Sequence, residues 1–97
     1  MFIAYLTFAD NRAAAPDHLA AHKQWIEQGF AEGAFLAVGK LLPASGGAIL
    51  GRADSREAFE ARIAADPFVI HGVVAADIQE MDVWRTQDGL ADLMAAA

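Results

Sequence analysis

The sequence predicts an α+β fold in which one antiparallel sheet of four strands carries two helices on one of its faces. Three observations lead there. Runs rich in β-branched and aromatic residues alternate with two amphipathic stretches in the order strand, helix, strand, strand, helix, strand. The two middle strands are joined by a turn cluster, Pro43-Ala44-Ser45-Gly46-Gly47. The length of 97 residues fits one domain over 1–97, with a core over about 1–84 and a tail over 85–97.

Taken in order, residues 2–8 mix aromatic, β-branched and aliphatic side chains without helical spacing and read as strand one. A polar loop over 9–15 precedes Pro16-Asp17, an acidic, proline-led helix start, and the helix runs to about residue 32. Leu19, His22, Ile26 and Phe30 share one stripe of that helix, while Lys23, Glu27 and Gln28 fall off it. Gly33 stands where a left-handed residue ends a helix. Residues 35–42 and 48–53 form the hairpin strands. Ser55 is an N-cap candidate for a helix carrying Phe59 and Ile63 four apart. Residues 73–84 are the fourth strand, with Val74, Ala76 and Ile78 inward and the alternation slipping near Met81. The last ten residues, 88–97, read as weakly helical.

Composition removes several classes of function. A net charge of −6, with seven Lys and Arg scattered singly, gives no electrostatic footprint for nucleic acid or for an anionic membrane. Without cysteine there is no disulfide, thiolate nucleophile or thiolate metal site. The opening apolar run is short and lacks a basic flank, so it fails as a signal peptide or membrane span, and the expected location is cytoplasmic. Hydrophobic residues make up 56% of the chain. Apolar residues at successive strand positions, as in Phe2-Ile3-Ala4 and Val73-Val74-Ala75-Ala76, give the sheet a second apolar face. The expected partner for that face is another copy, in a homodimer or higher homo-oligomer.

The chemistry centres on Ala65-Asp66-Pro67-Phe68. Proline suits the first turn of a helix and an Asp before it caps that turn, so the chain makes a corner here and aims a carboxylate in a definite direction, toward His22. A histidine on an apolar stripe is by default a core residue with satisfied nitrogens, and Asp66 has an ordinary role as a cap. The two readings of Asp66 are compatible, because a capping carboxylate can also orient an imidazole and leave its other nitrogen free to move a proton. His18 and His22 are four apart and His71 is a third histidine, but the Glu of a zinc helix is missing, with Leu19 in its place, so no metal site is expected. Ser45 is a candidate substrate-binding residue on the hairpin turn. Tyr5, Trp25 and Trp84 fit a pocket, an interface or the core, and for Trp25 the core reading prevails.

The helix from Asp17-His18-Leu19-Ala20-Ala21-His22 to Gly33, Leu36-Ala37-Val38-Gly39-Lys40-Leu41, Gly46-Gly47, Asp54-Ser55-Arg56-Glu57-Ala58 and Ala65-Asp66-Pro67-Phe68 together resemble the YciI-like (YCII-related) family over residues 1 to about 84. The resemblance implies a ferredoxin-like fold of the dimeric α/β barrel type, with a His-Asp dyad in a cleft. The family His corresponds to His22, by its distance to Gly33, and the family Asp to Asp66. Lys40 departs from the pattern, where such proteins often carry proline. Dehalogenating and lactone-handling relatives imply cofactor-independent proton transfer or elimination on a small cyclic substrate, with no cofactor and with His22 as general acid or base. The alternatives are a non-catalytic small-molecule-binding or accessory dimeric module and a cofactor-free oxygenase on the same fold.

Overall fold

The computed structural model describes residues 1–93. The strands are β1 (Phe2–Phe8), β2 (Phe35–Leu41), β3 (Gly46–Gly51) and β4 (Val74–Glu80); the helices are α1 (Ala15–Ala31), α2 (Arg56–Ala64) and the single turn α3 (Pro67–Ile70). Sheet order is β2-β3-β1-β4, antiparallel throughout. This is the ferredoxin-like βαββαβ arrangement that the order of elements predicts.

Register decides what faces the helices. Phe2, Ala4 and Leu6 of β1 stand opposite Gly51, Ile49 and Gly47 of β3 and opposite Glu80, Ile78 and Ala76 of β4. Of these, Phe2, Ala4, Leu6 and Ile49 join Phe35, Phe59, Ile63, Phe68, Val73 and Val74 in the core, while Ala76 and Glu80 near the sheet edge are exposed. Phe59 is fully buried and stacks on Phe2 with ring centroids 4.9 Å apart. α2 covers β1 and β4, while α1 lies toward β2 and is tied to the core through α3. The other face carries Ile3, Tyr5, Ala48 and Leu50, with Thr7, Asp77 and Gln79 in register beside them. Ile3, Tyr5 and Leu50 are half-buried.

The strand ends differ from expectation at both ends of β3, which stops at Gly51 and not at Ala53, and at the end of β4. β3 begins at Gly46, two residues before the expected start, because Gly46 and Gly47 pair with Thr7 and Leu6 as part of the sheet. Gly46 has φ +135°, and a side chain there would collide with the Leu6 carbonyl, so the glycine marks a strand start that resembles a turn in sequence. β4 ends at Glu80, short of the expected Trp84, and the slip in alternation at Met81 is this end. Gly33 closes α1 with φ +74° as anticipated. Within the described part of the expected C-terminal helix there is a 3-10 turn at Ala91–Leu93, and the rest of that expectation, residues 94–97, lies outside the described residues. Among the described residues no helix is long and apolar enough to cross a membrane.

Candidate functional site

Asp66 is the N-cap of α3. Its backbone is extended (φ −60°, ψ 125°), Pro67 takes the first helical position, and the Phe68 N–H donates to Asp66 Oδ1 at 3.0 Å. The carboxylate is fully buried, and the same Oδ1 accepts from His22 Nδ1 at 2.6 Å. An ionised carboxylate can only accept, so with Asp66 ionised the shared proton sits on Nδ1, and an imidazole in that tautomer presents Nε2 as its basic nitrogen. Nε2 has no hydrogen-bond partner among the described residues. Asp66 Oδ2 is buried with no partner there either, so the hydrogen bonds to this carboxylate all fall on Oδ1.

The ring of His22 is held on more than one edge. Phe68 lies flat against it, with centroids 4.0 Å apart and planes within 3°, and Trp25 stands one helical turn on at 5.9 Å. Trp25 is itself fixed by its indole N–H, which donates to the Arg62 carbonyl at 3.1 Å, and by an edge contact with Phe35. One short run therefore caps a helix, orients the imidazole through Asp66 and packs it through Phe68.

His22 forms part of the wall of a cavity of about 340 Å³ between α1 and the sheet. From α1 come Leu19, His22, Lys23 and Ile26; from the sheet come Leu6, Phe8, Val38, Lys40 and Ile49 among others, with Phe68 at the His22 end. Gly47 contributes to this space: it sits on the inner face between Leu6 and Lys40 in register and places no side chain beneath α1. The volume is at the lower end of the range for small-molecule sites, roughly 300–1,000 Å³.

The expected stripe divides. Leu19, His22 and Ile26 line the cavity, whereas Phe30 packs edge-on against Phe35. Ser45 lies exposed on the hairpin turn; its backbone bonds to Phe8 and Leu41, and it is not part of the cavity wall, although Gly46 and Gly47 beside it are. His18 and His71 stack on each other at 3.8 Å, away from the Asp66 contact, and among the described residues no three His, Asp or Glu side chains are placed to hold a metal ion. Among the wall residues, Phe68, Lys23 and Lys40 were given no substrate-contacting role by the sequence reading. Phe68 was legible as the residue two after the cap. Lys23 was set aside because it falls off the apolar stripe, and Lys40 shares the inner face of β2 with Val38, opposite Gly47 and Ile49.

The YCII-related domain family matches residues 1–82. The chain belongs to the YCII-related family. No curated protein matches it. Among solved structures, this YCII-related chain is similar to 5-chloro-2-hydroxyhydroquinone dehydrochlorinase (TftG) from Burkholderia phenoliruptrix AC1100 in complex with 2,5-dihydroxybenzoquinone. The TM-score is 0.68 at 18% identity, over 84% of this chain and 93% of that one. At that identity the likeness establishes the fold: α+β, ferredoxin-like, of the dimeric α/β barrel type.

Proposed function

We propose that this YCII-related protein is a small-molecule enzyme that moves a proton on a cyclic substrate, with His22 as general base and Asp66 as its positioning partner. The observation that carries the reading is the 2.6 Å bond between His22 Nδ1 and a fully buried carboxylate, which leaves Nε2 unpartnered on a ring in the cavity wall. In an elimination, Nε2 takes a proton from the substrate, the electron pair left behind forms a new π bond, and the leaving group departs with its own pair. The imidazolium so formed is stabilised by Asp66. The named reaction of the fold neighbour, a dehydrochlorination of a hydroxylated ring, and its named quinone ligand support a ring-shaped substrate and an elimination of this kind.

The test begins with halogenated dihydroxybenzenes, ring acids and lactones screened by thermal shift and then for turnover. With a turned-over compound in hand, His22→Ala should lower kcat by roughly 10²–10⁴-fold, the usual worth of a general base, and leave the thermal shift largely intact. A His22→Ala protein with unchanged kcat would overturn the reading. Ligand binding without turnover in the parent protein would instead favour a binding module.

A further inference from the structure

We propose that the cavity selects a negatively charged ring compound, whose anionic oxygen is held by Lys23 from α1 and Lys40 from β2. This deepens the reading of the His22 cavity as a substrate site and rests on it. The chain has only two lysines, and both line this cavity. Neither makes a hydrogen bond or ion pair among the described residues. By contrast Arg52, Arg56 and Arg62 are each bound to carbonyl or carboxylate oxygens.

The second observation is one of sign. The protein carries thirteen Asp and Glu against seven Lys and Arg, yet no acid is part of the cavity wall. Asp66, the carboxylate bonded to His22, is not in the wall. An acidic chain thus encloses a locally basic, otherwise apolar space, and low-dielectric walls concentrate the field of the ammonium groups on whatever lies between them. Both lysines line the cavity and are exposed, the combination in which aliphatic stems cover a wall and ammonium groups reach water. They come from opposite sides, one from the helix and one from the sheet. An anionic substituent at the mouth would therefore meet both charges while the ring enters toward Phe68 and His22.

The experiment compares 2,5-dihydroxybenzoate with its methyl ester, which have the same ring and differ by one charge, by isothermal titration calorimetry on the parent protein and on Lys23→Gln/Lys40→Gln. The acid should bind the parent about 5-fold tighter than the ester, in line with two partly exposed ion pairs. That preference should fall to parity in the double variant and shrink as salt is raised. Equal binding of acid and ester by the parent would overturn the proposal, as would an acid preference that survives in the double variant or the binding of neither compound. His22→Ala separates this outcome from the catalytic reading. It should keep the acid preference while losing turnover, and a fully active His22→Ala protein with the preference intact would remove the base and leave the anion site standing.

Discussion

At the scale of single residues, Asp66 couples stability to the site. Its Oδ1 caps α3 and holds His22, while its buried Oδ2 contributes no hydrogen bond to offset the cost of desolvating a charge. Removing the side chain takes away the cap and frees the imidazole together. Asp66→Ala should therefore lose about 1–2 kcal/mol in urea unfolding, the usual range for a lost cap, and should lose activity as well. An Asp66→Ala protein as stable as the parent would mean that burying the carboxylate costs as much as its two hydrogen bonds return. This pairing was legible in sequence because the Asp-Pro step fixes where a cap must lie, and because the resemblance selects His22 over His18. The lysines were not legible as a pair, since Lys23 and Lys40 are seventeen positions apart and only the fold of β2 under α1 puts them around one space.

At the scale of elements, the helices are joined by one exposed ion pair. Arg62 on α2 reaches Glu32 at the C-cap of α1, with Nη2 2.7 Å from Oε1. The hydrogen bond from Arg62, then that from Gln28, then the charge of Arg62 hold the Glu32 carboxyl below its ordinary 4.5. A carboxyl with a depressed folded-state pKa stabilises the fold above its unfolded value, and that contribution is lost as pH falls through the folded value. Glu32→Gln should accordingly lower the melting temperature slightly at neutral pH, and the gap from the parent should close as pH drops below 4.5. A gap that stays constant down to pH 3 in a thermal melt series would show that the pair does not act through its charge. Element boundaries were less legible than element types. Gly46-Gly47 has the composition of a turn and the pairing of a strand, a distinction made only by the Leu6 carbonyl against which Gly46 lies. The end of β4 at Glu80 was visible in outline, because the break in alternation at Met81 has a physical cause.

At the scale of the whole molecule, the face of the sheet turned away from the helices stays half apolar, with Ile3, Tyr5 and Leu50 adjacent in register. Covering it with a second copy would need on the order of 1,000 Å² of buried surface for a stable pair. The parent should then be a dimer by light scattering at micromolar concentration and Leu50→Glu a folded monomer; a monomeric parent would remove the assembly. That the sheet has two apolar faces was legible from successive apolar positions, whereas which strand residues face outward required the register.

The arrangement around Trp25 has one more consequence, which is optical. The chain has two tryptophans. Trp84 is 81% exposed beyond the end of β4 and emits as an indole in water, whereas Trp25 is half-buried, hydrogen-bonded through its N–H and stacked beside His22. A ring that settles against His22 and Phe68 changes the surroundings of one indole and leaves the other untouched. A ring compound bound beside His22 should therefore shift the blue part of the emission band and leave its red part, and a spectrum unchanged at saturating ligand would show that Trp25 does not sense the cavity.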